Sequence, residues 1–209
     1  MSTLSPDGRR ASDEAQATQP AGRVRTRTGG RSERVRRAVG DAVLAFLEAG
    51  KIDFTTVEVA ERAEVSRHTI YRWWPTHHDL LVEALSRHVR RVEPPDTGSW
   101  ETDVRAFAHT VASFAAEPVE IAMSGIMAGR RFPEFNALVI EQYRPVLDAW
   151  RQMASRAVAR GEANDTHTSQ TVVAMLASPL FLAPLMLGHP PTEDEIDRIV
   201  AFVLAATRT

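Results

Sequence analysis

The chain has 209 residues, with 25 Lys or Arg against 27 Asp or Glu for a formal net charge of −2, 44% hydrophobic residues and no cysteine. This is the composition of an ordinary globular chain, long enough for one large domain or a small domain plus a larger one. The missing cysteine excludes disulfides, thiol nucleophiles and Cys-based zinc sites, and it fits the reducing cytoplasm in which the chain is expected to act.

The charge is unevenly spread. Residues 1–92 carry 16 basic against 12 acidic side chains, and residues 93–209 carry 9 against 15. Nine arginines fall within the first 40 residues. A basic end on an acidic body suggests that one end faces a polyanion. Residues 1–30 are rich in Ser, Thr, Pro, Gly and Arg, with almost no periodic apolar pattern and no apolar run of the kind a signal peptide needs. They are expected to form a disordered basic arm. Its Arg9, Arg10, Arg23, Arg25 and Arg27 are either merely solvated or reach DNA.

From there helix signals follow almost without interruption, with no convincing alternating strand pattern, so the expected fold class is all-α. Ser32 is positioned to cap a helix whose apolar stripe is Val35, Val39, Ala42, Val43, Phe46 and Leu47, and Gly50 supplies its stop. Three short helices follow. The first runs from Thr55 or Thr56 to about Arg62, with Thr55 and Glu58 spaced as a capping box; the second runs from Ser66 to Trp74. The third is capped by Thr76, with Asp79 three residues on, and reaches about Arg91. The cluster Glu93-Pro94-Pro95-Asp96-Thr97-Gly98 marks a boundary.

Longer amphipathic helices fill the rest. One carries Trp100, Val104, Phe107, Val111 and Phe114; another starts near Pro118; a third is opened by Pro133, should kink at Pro145 and ends at Gly161. The apolar segment from His167 to Leu187 holds a stretch, Val172 to Leu187, that is too short for a membrane span of about 20 residues, so no membrane partner is expected. Thr192 and Glu195 open a last helix whose inward residues are Ile196, Ile199, Val200, Val203 and Leu204. The division expected is a basic arm over 1–30, a helix-turn-helix DNA-binding domain over 31–92 and a helical effector-binding and dimerisation domain over 93–209.

The segment from Thr56 to Trp74 carries the functional signal. Val59, Ala60, Val65 and Ile70 suit a small core between two crossed helices, with Ala60 and Ala63 allowing close approach. The second helix then presents Arg67, His68, Thr69, Tyr71 and Arg72, all able to donate to phosphates or base edges. A helix so mounted fits a major groove, which is about 12 Å wide. The capped N-terminus at Ser66 adds a partial positive charge that attracts phosphate.

With Thr56, Val59, Ala60, Ala63, Val65, Ser66, Thr69, Ile70, Tyr71 and Trp74 in place, and Leu80 and Leu81 following, the segment resembles the DNA-binding domain of the tetracycline-repressor (TetR) family. The resemblance implies phosphate anchoring by Thr56 and Tyr71, and base reading or backbone grip by Arg67, His68 and Thr69. It also places Trp73 where its indole N–H can meet a phosphate. Two departures stand out: Glu64 replaces a turn glycine, and His77 replaces a lysine that touches phosphate. The resemblance further implies a repressor that binds a palindromic double-stranded operator as a homodimer through helices within 167–207 and is released by a small apolar or aromatic effector.

Large apolar residues on the helices around the centre of the second domain give a candidate effector pocket: Phe107, Phe114, Met123, Met127, Tyr143, Trp150 and Phe181. No cofactor is expected, and no enzyme: the chain lacks a Gly-rich phosphate loop, a His-Glu-x-x-His motif and a convincing nucleophile–base pair. His77, His78 and Asp79 are not expected to chelate a metal, because adjacent helical residues point about 100° apart. The alternatives are a constitutive dimeric DNA-binding regulator without an effector and an all-α ligand-binding protein.

Overall fold

The computed structural model describes residues 28–209, so the expected basic arm lies outside the described residues except for Thr28 to Gly30, which are helical. Among the described residues the chain is all helical: α1 (Thr28–Glu48), α2 (Thr56–Arg62), α3 (Arg67–Trp73), α4 (His77–Val89), α5 (Trp100–Ala115), α6 (Pro118–Ala128), α7 (Pro133–Ala159), α8 (Ser169–Leu187) and α9 (Glu193–Ala206). A single 3₁₀ turn, Arg90–Val92, prolongs α4.

Most helix starts coincide with the capping residues in the sequence. Thr55, Thr76 and Thr192 each accept a hydrogen bond from the backbone N–H three residues on, and the carboxylates of Glu58, Asp79 and Glu195 accept one from the backbone N–H of the cap residue. The Lys51 ammonium, with the Thr55 amide and hydroxyl, holds the Glu58 carboxyl down to about 2. Pro118 and Pro133 open α6 and α7, where a missing N–H costs nothing. The exception is α1, which begins at Thr28 and not after a Ser32 cap. Extending an existing helix fixes one residue per added hydrogen bond, so a start that is weak in propensity can still be drawn in. Gly50, at φ 72°, ends the turn after α1 as expected.

α7 stays helical on both sides of Pro145 and terminates at Arg160, with Gly161 at φ 74°. α8 runs 19 residues, longer than the apolar stretch alone, because Thr168 caps a polar first turn. By length and composition it is long enough to cross a membrane, so the argument from shortness does not hold. Its inward residues Val172, Val173, Leu176, Ala177 and Leu180 are buried, and it packs against α5, α7 and α9. One face of it thus belongs to the core, while Leu182, Met186 and Leu187 stay exposed.

Two hydrophobic clusters hold the molecule, and they do not divide at residue 93. The first joins Val39, Val43, Leu47, Val59, Ile70, Leu80 and Leu85 to Val119 and Met123 of α6 and to Phe135, Leu138 and Val139 of α7. The second gathers α5, the rest of α7, α8 and α9, and it takes in Val89 and Val92 from the end of α4 and its 3₁₀ turn. The connection between them is strapped down. Trp150 Nε1 donates to the Val92 carbonyl at 2.8 Å, and the Thr97 amide and hydroxyl both donate to the buried Asp103 at 2.8 Å.

The α2–α3 turn settles the position of Glu64. It sits at φ 53°, in the left-handed region that favours glycine. The Val65 N–H reaches the Ala60 carbonyl and the Glu64 N–H the Glu61 carbonyl, the paired bonds of a Schellman closure. Glu64→Gly is expected to stabilise the chain by about 1 kcal/mol, since it removes the strain of a Cβ at that backbone angle. For a chain of this size that is a rise in melting temperature of about 2–4 °C in thermal denaturation. An unchanged or lower midpoint contradicts it.

Candidate functional site

α2 packs on both α1 and α3, and Val59, Ala60 and Ile70 are buried. With Ile70 fully enclosed, the opposite face of α3 turns to solvent: Arg67, His68, Tyr71 and Arg72 are exposed, Tyr71 by 53%. Ser66 caps α3, its hydroxyl accepting from the Thr69 amide at 3.2 Å and lying 2.9 Å from the Thr69 hydroxyl. Both hydroxyls therefore stand at the helix N-terminus, beside the backbone N–H groups that an anion would meet. Thr56, the first residue of α2, is partly exposed.

Arg67 is held in the free chain by Glu61 at 2.9 Å, a pair exposed on both sides and so easily exchanged for a phosphate or a base edge. Trp73 is half-buried. Guanidinium groups of Arg36 and Arg72 lie over its ring at 6.0 and 5.8 Å, and its neighbour Trp74 is buried, with Nε1 donating to Glu83 at 3.1 Å. His77 departs from the expectation of an outward donor. Its ring packs on Phe54 with centroids 4.3 Å apart, its Nε2 is enclosed without a partner, and burial lowers its pKa, which favours the neutral ring. The physical cause is its place at the first turn of α4, beside the apolar end of α1, where an aromatic ring gains more from stacking than from solvent. His78, next in the chain, is the exposed one.

The second candidate site is a cavity of 420 Å³ between α6, α7 and α8. It is lined by Met123, Met127, Tyr143, Trp150 and Phe181 from the sequence-based set, together with Val139, Leu147 and Val173. Phe107 and Phe114 do not reach it. Phe107 stands behind Trp150, edge-on with centroids 4.9 Å apart, and Phe114 lies tilted against His88 at 4.7 Å and edge-on to Phe181 at 6.4 Å. Both back the wall instead of forming it.

Sequence reasoning missed the polar centre of this cavity. Glu120 of α6, 3% exposed, lines it. Its Oε1 receives the Tyr143 hydroxyl from α7 at 2.6 Å and lies 2.7 Å from Nε2 of the buried His88, on α4. Burial first, then the neighbouring carboxylate, pushes the Tyr143 pKa up, so the phenol stays a donor. The signal was present in the spacing. Glu120 precedes Met123 and Met127 on one helical stripe, and His88 follows Leu81 and Leu85 on another.

Comparison with known proteins adds to this geometry. Residues 94–203 match the family model described as "Tetracyclin repressor-like, C-terminal domain". The chain is 32% identical over 161 residues to the HTH-type transcriptional regulator AqdR of Rhodococcus erythropolis, covering 76% of this chain and 78% of that protein. It is 28% identical over 167 residues to the DNA-binding transcriptional repressor TetR of Mycobacteroides abscessus, covering 78% and 87%. A crystal structure of a TetR transcriptional regulator from Agrobacterium tumefaciens superposes with a TM-score of 0.67 at 20% identity, over 83% of this chain and 95% of that one.

Proposed function

The chain belongs to the TetR family of helix-turn-helix transcriptional regulators, and on that premise we propose that it is a homodimeric repressor that binds a palindromic operator and is released by a small apolar or aromatic effector. It is a regulator and not an enzyme, as its relatives are. The observation that carries the reading is the mounting of α3, with Ile70 locked in the core and Arg67, His68, Tyr71 and Arg72 on the free face. Thr56, Ser66, Thr69 and Trp73 flank that face and complete the DNA-contacting set. The reading head is the part before residue 93, and the effector site and dimer surface belong to the part after it. The chain acts where its operator is, in the cytoplasm.

A single short helix contacts too few bases for specificity, so two heads are needed, in successive major grooves about 34–36 Å apart. A second surface supports the pairing. Leu182, Met186 and Leu187 of α8 and Phe202 of α9 are 54%, 68%, 63% and 60% exposed, more apolar surface than a single chain usually leaves wet. The residues read as inward on the last helix are on another side: Ile196, Val200 and Val203 are buried within the chain, where α9 packs on α5. α9 has two apolar sides, and the inward one is the more regular in sequence.

Footprinting on a duplex recovered by selection tests the reading, with a two-fold symmetric protected site as the expected result. Protection of one asymmetric half-site by a monomer refutes it. On the same duplex Tyr71→Phe is expected to lower affinity about tenfold for specific and nonspecific DNA alike, because a phosphate contact carries no sequence information. Arg67→Ala is expected to relax the preference at one base position by about 1–3 kcal/mol, read as a flattened column in the selected sequences. A Tyr71→Phe loss confined to the operator, or an unchanged selection with Arg67→Ala, reverses those two roles.

A further inference from the structure

The cavity between α6, α7 and α8 is lined mainly by apolar side chains, with Ser124, Tyr143, Gln170 and Ser178 as neutral polar ones and Glu120 as the only charged one among the described residues. The Glu120 side chain is 4% exposed, and its two oxygens are used differently. Oε1 takes both protein partners, Tyr143 and His88. Oε2 has no hydrogen bond among the described residues, yet it is not one of the fully enclosed unpartnered atoms, so it keeps open surface, and the residue borders the cavity. An acceptor left open in an apolar chamber is costly unless something donates to it.

We propose that the effector is an apolar or aromatic molecule whose polar head is a hydrogen-bond donor, best a protonated amine, seated on Glu120 Oε2. This rests on the reading of the cavity as the effector site. A carboxylate-headed molecule of the same skeleton is disfavoured twice. No Lys or Arg among the described residues lines the chamber to neutralise it, and it would meet the acceptor face of Glu120. The volume of 420 Å³ suits a bicyclic ring with a short chain, with Trp150 and Phe181 as the apolar walls. The same carboxylate is bonded through Oε1 to His88 on α4, so the head group lies one hydrogen bond from the helix that carries the DNA-reading head.

The test uses the full chain and three probes of one skeleton, naphthylethylamine, naphthylethanol and naphthylacetate, with affinities measured by titration calorimetry. The expected order is amine, then alcohol, then acid, the amine tighter than the acid by roughly tenfold to a hundredfold, the scale of a hydrogen bond to a charged group. Glu120→Gln is expected to weaken the amine about tenfold and leave the acid unchanged or tighter. Should that variant not fold, the order on the unaltered chain decides alone. An acid that binds as well as or better than the amine overturns the inference and leaves the cavity as an effector site. Binding of none of the three sinks both.

Discussion

Leu182→Glu combined with Phe202→Glu is expected to leave the chain monomeric and to weaken operator binding by about a hundredfold to ten-thousandfold. Both side chains are more than half exposed, on the outer sides of two helices that pack together. Substitutions at such positions change the stability of a single chain by only about 0.5 kcal/mol. In a two-fold interface each charge appears twice against the same apolar patch, so its desolvation cost is doubled. Once the heads are no longer joined, each must find its half-site independently, and the effective concentration supplied by the first contact is lost. Sedimentation gives the mass and gel shift the affinity, with circular dichroism as a check that the helices persist. A variant that remains dimeric with full operator affinity places the pairing surface elsewhere.

Trp150→Ala is expected to cost about 3–5 kcal/mol, the range for removing a large aromatic from a core. The ring is 3% exposed, stacks edge-on against Phe107 and lies 6.4 Å from Phe181. Its Nε1 also satisfies the Val92 carbonyl, which has to be desolvated at the end of the connector from the reading head. Alanine leaves that carbonyl unpaired and enlarges the neighbouring chamber. For a chain of this length the melting temperature should fall by about 10 °C or more. Trp150→Phe, which keeps most of the packing and loses the N–H, is expected to cost about 1–3 kcal/mol. Equal losses in the two variants assign the whole effect to the hydrogen bond, and a negligible loss in both removes Trp150 from the structural centre.

Helix starts were legible in the sequence wherever a threonine or serine hydroxyl could meet a nearby amide, because capping is a local interaction. Thr55, Ser66, Thr76 and Thr192 are the examples. The face of α3 was legible for a related reason: one buried residue, Ile70, fixes the orientation of a seven-residue helix. What lay beyond sequence reasoning depends on which helix comes to lie against which. Phe107 and Phe114 are large aromatic residues like Trp150 and Phe181, and only the packing of α5 behind α7 and α8 separates a supporting residue from a wall. Glu120 and His88 drew no reading from the sequence, because only the fold brings their side chains, from α6 and α4, within 2.7 Å of each other. His77 read as an outward donor because its neighbour Phe54 comes from the loop before α2, out of reach of any helical periodicity.

The first hydrophobic cluster also bears on how such proteins can be recombined. Val119, Met123, Phe135, Leu138 and Val139 follow residue 93 in the chain, yet they complete the core beneath the reading head. A chimera joined at residue 93, with the head of one protein and the body of another, therefore pairs one half of a core with a foreign half. The unit that can be transplanted intact is a discontinuous one: α1 to α4 together with α6 and the first turns of α7. A graft that respects that seam keeps the core beneath the reading head and the His88–Glu120 bond that joins α4 to α6. One that ignores it must evolve both again.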